Sequence, residues 1–322
     1  MRAAIVTELT GPDSIVIREV PEPTLQPGHV LIDVEYAGIS FPDVLQTRGQ
    51  YQVRPELPFT PGWEISGVVR EDAGSCRAGD RVAAMPFTGG VAESVVVDAN
   101  YVFALPDSVS FATAAALPLN YLTAHFALVR RAKLQPGETV LVQGAAGGVG
   151  SASCNMAAAL GARVIAVVSS TEKVAIAEAA GAHHVVLADG FAAEVRQLTD
   201  GRGVDVIVDP VGGERFTDSL RSLAREGRLL VVGFASGQIP VVKTNRLLLT
   251  NTTVMGAATR ELWNHEPEMP RWQWNELMPL LNSGVLDPVI GPQFSIEQTA
   301  SAIRMIEERR AAGKVLVRIQ CR

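Results

Sequence analysis

The sequence predicts an α/β protein: a doubly wound parallel-sheet domain joined to a small, mostly β domain that the chain visits twice. Three observations carry that expectation. Before about residue 121 the chain reads as short β segments broken by proline and glycine. From residue 122 Val- and Ile-rich strands alternate with short helices. A single late strand, residues 315–319, then stands far from the alternating block. The expected boundaries are therefore 1–121 with 258–322 for the β domain, and 122–257 for the parallel-sheet domain. A chain of 322 residues, 47% hydrophobic, buries such cores without metals or disulfides.

In chain order, the first strands fall at 3–7, 15–19, 30–37, 64–69, 81–84 and 92–97, with Pro12, Pro21, Pro23, Pro27, Pro55, Pro58 and Pro61 between them. This spacing favours an antiparallel or barrel-like arrangement. The second block gives strands at 139–143, 163–168, 184–187, 204–209 and 228–234. Helices at 151–160, 172–180, 191–198 and 215–223 separate them, which describes stacked βαβ units buried on both faces. After residue 258 the chain is helical until the late strand, which is expected to return to the β domain.

Composition narrows the function. With 28 basic and 34 acidic side chains, 28 − 34 = −6, and no Lys/Arg tract, nucleic acid and anionic membrane are not expected partners. Cys76, Cys154 and Cys321 form no CxxC pair, so a reduced, cytoplasmic protein is expected. The start, Met1-Arg2-Ala3-Ala4-Ile5-Val6, meets Glu8 before any apolar leader can form. Two uncharged stretches, 108–129 and 139–162, contain Pro118 and Asn120 or a run of glycines, which a lipid-spanning helix would not choose.

The strongest chemical signal is Thr139-Val-Leu-Val-Gln-Gly-Ala-Ala-Gly-Gly-Val-Gly150. A strand, a glycine turn and a helix whose N–H groups face a diphosphate are the parts of a dinucleotide site. Ala145 replaces the first glycine of GxGxxG. Ala146, Gly147, Gly148, Val149 and Gly150 complete the expected cofactor loop. At the end of the second strand an NAD site would carry Asp or Glu, whereas this chain has Ser169-Ser170-Thr171-Glu172-Lys173. Ser169, Ser170 and Lys173 suit a 2′-phosphate, so NADPH is the expected cofactor, with Glu172 turned away. The two serines are equally suited to capping the next helix.

These residues resemble the zinc-free quinone oxidoreductases, related to zeta-crystallin, of the medium-chain dehydrogenase/reductase superfamily. The likeness rests on Ala37-Gly-Ile-Ser-Phe-Pro-Asp43, Arg48-Gly-Gln-Tyr51, Pro58-Phe-Thr-Pro-Gly-Trp-Glu64, Gly79-Asp-Arg-Val82, Ala115-Ala-Leu-Pro118, Gln143–Gly150, Asp209-Pro-Val-Gly212 and Gly233-Phe-Ala-Ser-Gly237. It implies a Rossmann domain, a discontinuous GroES-like domain, and hydride transfer to a quinone in a cleft between them. Ser40 and Trp63 stand where zinc-dependent relatives use Cys and His, so no metal is expected.

The resemblance places Tyr51, Ser40 and Asn120 near substrate and Thr123 near the nicotinamide, followed by Phe234, Ala235 and Ser236. Tyr51 reads equally as a packed loop residue, and Asp43 as a helix cap. Residues 247–256, an apolar β-prone run, are expected to pair as an edge strand in a homodimer. Two alternatives stand beside the quinone reading. One is reduction of enals, enones or enoyl thioesters, with Arg48, Arg54 and residues 260–271 as a basic rim; the other is a non-catalytic NADPH-binding protein.

Overall fold

The computed structural model describes residues 1–320; Cys321 lies outside the described residues. The elements are β1 (Arg2–Val6), β2 (Ile15–Glu19), β3 (His29–Ile39), α1 (Phe41–Thr47), β4 (Glu64–Val69), β5 (Arg81–Ala84), β6 (Ser94–Asp98), β7 (Val102–Ala104) and α2 (Phe111–Ala114). Next come α3 (Pro118–His125), β8 (Thr139–Val142), α4 (Gly148–Ala159), β9 (Arg163–Val168), α5 (Val174–Ala179), β10 (His184–Leu187), α6 (Phe191–Leu198), β11 (Val204–Asp209), α7 (Phe216–Ser222) and β12 (Leu223–Val231). The rest are α8 (Asn245–Thr250), β13 (Thr253–Gly256), α9 (Thr259–His265), α10 (Met269–Asn282), β14 (Ile290–Ser295), α11 (Thr299–Glu307) and β15 (Lys314–Arg318).

Two compact units result. The first comprises Met1–Leu119, Pro267–Asn282 and Ile290–Arg322; the second comprises Asn120–Glu266 and Ser283–Val289. Residues 258–266 and 283–289, expected with the β domain, group with the second unit instead. Asn155 accounts for the latter segment: its carboxamide oxygen accepts the Asp287 N–H (3.0 Å) and the Tyr121 hydroxyl (2.9 Å).

The first unit is built on a seven-stranded sheet ordered β14-β15-β3-β4-β5-β7, with β6 paired to β3. β3 is long enough to serve three neighbours: its first half pairs β6, its second half β15, and β4 runs along its other edge. The late strand therefore does return, antiparallel, with Val317 opposite Ala37. β14, which pairs β15 in parallel, carries Gly291 and Pro292 and has no strand signature in the sequence. Ile32, Ile39, Ile65, Val315 and Val317 form the buried centre of this unit.

The second unit is a six-stranded parallel sheet ordered β10-β9-β8-β11-β12-β13. The order reverses between β8 and β11, and such a switch point is where open parallel sheets bind ligands, beyond the carboxyl ends of the strands. Residues 247–256 are not one strand: Leu247–Leu249 belong to α8, Asn251 closes it in the left-handed region (φ 53°), and only β13 continues as the sheet edge. A run of three leucines extends a helix readily, and the β-branched Thr252-Thr253-Val254 then takes the strand. Among the described residues no helix is long and apolar enough to cross a membrane.

Candidate functional site

β8 delivers the chain into the glycine loop at the switch point. The loop is pinned on both sides: Gln143 N–H donates to Val208 C=O (3.0 Å) and Ala145 N–H to Val167 C=O (3.0 Å). Gly144 sits at φ 59°, the left-handed turn that starts the reversal. A Cβ on Gly150 would lie 2.1 Å from the Gly144 carbonyl oxygen, so only glycine lets α4 start this close to β8. At Gly147, the residue capping α4, a Cβ would meet nothing closer than that same oxygen at 3.4 Å. Its outer side is thus open, while the first-turn N–H groups of α4 lack intrahelical acceptors. Residues 147–150 fit a dinucleotide diphosphate: a helix start whose first-turn donors lack intrahelical acceptors, with no side chain at Gly147.

The adenosine end is less clear-cut. Ser169 is exposed at the carboxyl end of β9, Ser170 and Lys173 are half-buried, and Thr171 is exposed. Glu172 is exposed. The neighbouring Ser170 hydroxyl holds its carboxylate below the usual carboxylate range. Burial lowers the Lys173 ammonium, partly offset by the Glu172 charge. Ser169 and Thr171 are thus the exposed hydroxyl residues of this segment.

Further along the same sheet edge, Asp209 ends β11 and accepts the N–H groups of Val211 (2.8 Å) and Gly212 (2.9 Å). The 234–236 segment closes against it: Ala235 N–H donates to Pro210 C=O (3.0 Å) and Ser236 N–H to Val211 C=O (2.9 Å). Phe234 remains 37% exposed there. Thr123 lies on α3, one turn after Asn120, and both are buried. Asn120 belongs to the second unit and packs on Gly148 at the start of α4.

In the first unit, Ser40 caps α1 inside a buried polar cluster. Lys314 Nζ donates to Ser40 Oγ (2.6 Å) and to Glu64 Oε1; Ser40 Oγ donates to that same oxygen (3.1 Å). Leu119 N–H donates to Glu64 Oε2 (2.8 Å). The Ser40 hydroxyl thus both donates and accepts within the unit. Asp43 is the structural cap: its two oxygens accept the N–H groups of Ser40 and Gly62, both at 2.8 Å. Burial pushes its carboxyl up to about 6, against those hydrogen bonds and the Lys314 charge.

Tyr51 meets Trp63 edge to face, with ring centroids 5.0 Å apart. Trp63 donates its indole N–H to Gln46 Oε1 (2.8 Å) and meets Phe87 edge to face at 5.4 Å. Phe87 takes φ 63°, a conformation rare for a bulky side chain, and nothing in its local sequence marks it. Lys314 was equally hidden, because its partners lie 274 and 250 residues away. Arg48 is not part of a basic rim; it pairs with Glu307 and donates to Thr10 C=O (3.0 Å). Arg271 donates to Ala99 C=O (3.0 Å). Trp263 is buried, Trp274 is buried stacked on Phe103, and Trp272 is exposed. Among the described residues no three His, Cys, Asp or Glu side chains converge as metal ligands.

Comparison with known proteins agrees with this geometry. The alcohol dehydrogenase GroES-like domain model matches residues 26–107, and the zinc-binding dehydrogenase model matches residues 148–281. The chain is 42% identical to a Bos taurus protein called quinone oxidoreductase-like protein 2, over 99% of this chain and 93% of the relative. Among solved structures it resembles the Thermus thermophilus quinone oxidoreductase, described also in complex with NADPH (TM-score 0.87, 36% identity, 99% of this chain and 100% of that one). It also resembles the CurK enoyl reductase (TM-score 0.88, 27% identity, 99% of each chain).

Proposed function

Since the chain belongs to the quinone oxidoreductase-like family of the medium-chain dehydrogenase/reductase superfamily, we propose that it is a zinc-independent, NADPH-dependent reductase of quinones. The observation that carries the reading is the glycine loop at the switch point, where Gly150 lets α4 start close against β8 and Gly147 adds no side chain in front of the helix's first turn. NADPH bound there supplies the hydride. The chain's own part is to hold the diphosphate on residues 146–150, the 2′-phosphate with Ser169 and Lys173, and the nicotinamide end with Thr123 and residues 234–236.

On the substrate side, Tyr51 is the donor to the acceptor oxygen, since its phenol pairs an apolar face with a hydrogen-bonding tip. Zinc independence is supported by the use made of the two motif positions: Ser40 is committed to Glu64 and Lys314, and Trp63 to Gln46. A second reading, reduction of an α,β-unsaturated carbonyl, is favoured by the likeness to an enoyl reductase. The commitment of Arg48 and Arg271 to internal partners weighs against a thioester with phosphates. We further propose a cytoplasmic homodimer, formed through β13 at the sheet edge and the exposed Leu248, Leu249, Ile239 and Val241 beside it in sequence.

The test follows NADPH absorbance with an ortho-quinone, with NADH as the matched control and EDTA throughout. A fast, EDTA-insensitive, NADPH-selective rate is expected. NADPH binding without quinone turnover, but with turnover of an enone, would replace this reading by the second.

A further inference from the structure

Asn120 has no function in the account above, yet its setting is unusual for an amide. It is 3% exposed, and among the described residues its side chain makes no hydrogen bond. Its amide atoms are not among the side-chain atoms sealed from solvent without a partner, so the residue is buried while its polar end stays open to a ligand. It lies against the first residue of α4: a Cβ on Gly148 would come 2.8 Å from Asn120 Nδ2 and 3.0 Å from its Oδ1. The amide therefore occupies the space that a side chain at 148 would need. One turn further along α3, Thr123 is 8% exposed and likewise makes no side-chain hydrogen bond among the described residues. Positions three apart share a helix face. Two polar side chains thus stand unpaired on one face of α3, beside the bare N–H groups of a twelve-residue helix.

We propose that Asn120 is a cofactor-binding residue rather than a substrate-side one. Its Nδ2 donates to a diphosphate oxygen of the dinucleotide seated on the glycine loop, adding one side-chain donor to the backbone ones. This rests on the reading that the loop takes NADPH, and it assigns Gly148 a reason: any larger residue there displaces the amide. A hydrogen bond to a charged acceptor is the strong kind, so its loss is visible in affinity.

The test needs no turnover. Dissociation constants are measured by fluorescence titration for three ligands on wild type, Asn120→Ala and Asn120→Asp. The ligands are NADPH, 2′-phospho-ADP-ribose (diphosphate but no nicotinamide) and 2′-AMP (no diphosphate). The expected result for Asn120→Ala is about tenfold weaker binding of the first two ligands, with 2′-AMP unchanged. Asn120→Asp weakens those two further, because it sets a carboxylate beside the diphosphate. Weakening of NADPH alone would place Asn120 at the nicotinamide or substrate and overturn the inference. Equal weakening of all three, or of none, would overturn it as mere packing. Wild type that binds all three ligands but reduces no quinone would refute the proposed acceptor and leave the Asn120 comparison intact. Wild type that binds none would refute the cofactor reading and this inference with it.

Discussion

The glycine loop of the second unit and the Ser40 cluster of the first are both places where polar groups gather below the surface, but they are finished in opposite ways. Around Ser40, Glu64 and Lys314 each polar group meets another from the same unit, and the lysine ammonium and glutamate carboxylate are 4% and 0% exposed. Around residues 144–150 the side chains are small or absent, and the first-turn N–H groups of α4 have no intrahelical acceptor. A saturated cluster is a structural device, whereas a bare one is a binding surface. That contrast, more than residue type, separates Ser40 from Gly147 as functional candidates.

The largest effect should come from breaking the saturated cluster. Lys314→Met leaves Glu64 charged, buried and uncompensated, and is expected to cost about 3–5 kcal/mol of stability in urea denaturation. The Glu64→Gln/Lys314→Met double variant should recover much of that loss. A cost below 1 kcal/mol would mean that the cluster is not a closed ion pair. The NADPH dissociation constant should stay within about twofold in whatever fraction folds.

Substitutions in the bare loop should divide by position. Gly150→Ala forces a Cβ into contact at 2.1 Å and is expected to cost about 3 kcal/mol, with NADPH affinity lost alongside. Gly147→Ala meets only an ordinary 3.4 Å contact, so its stability should match wild type within about 0.5 kcal/mol while NADPH binds at least about tenfold more weakly. If both variants lose stability equally, the loop is packed rather than open.

The smallest effect concerns pH. Asp43, held at about 6 in the folded protein, takes up its proton more readily there than in the unfolded chain, where the carboxyl titrates near 3.9. Its contribution to stability is therefore fullest below about pH 4 and is lost as pH rises through about 6. Relative to Asp43→Asn, wild type should lose on the order of 2 kcal/mol between pH 4 and 7. The loop at 144–150 holds no titrating side chain, so the cost of Gly150→Ala should be flat over that range.

What could be read in advance follows the range of the interactions involved. The strand–loop–helix at 139–160 is local, encoded by consecutive Val, Gly and Ala residues, and the structure has β8 and α4 within a few residues of expectation. The late strand was placed correctly because it lacked a partner nearby. Residues 247–256 were misread because Leu-Leu-Leu suits helix and strand alike, and only Asn251 in the left-handed region divides them. The pairing of Lys314 with Ser40 and Glu64 carries no local signal, and neither does the positive φ of Phe87. Asn120 was picked out through the family resemblance, while its position against Gly148 exists only once α3 and α4 pack.

The order in which these partners leave the ribosome adds a constraint. Glu64 is made 250 residues before Lys314, and the whole of the second unit is translated between them. At about 5–20 residues per second, that interval is roughly 12–50 s. Throughout it the first unit lacks β15, the strand that borders the second half of β3, and it also lacks the only ammonium that neutralises Glu64 among the described contacts. The second unit needs no such late strand, because its six strands are complete by Gly256 and only the segment Ser283–Val289 follows Glu266. During synthesis the nucleotide-binding unit can therefore be finished while the earlier-made one still waits for its last strand, and a nascent chain stalled before residue 314 would be the one to present an open sheet to its surroundings.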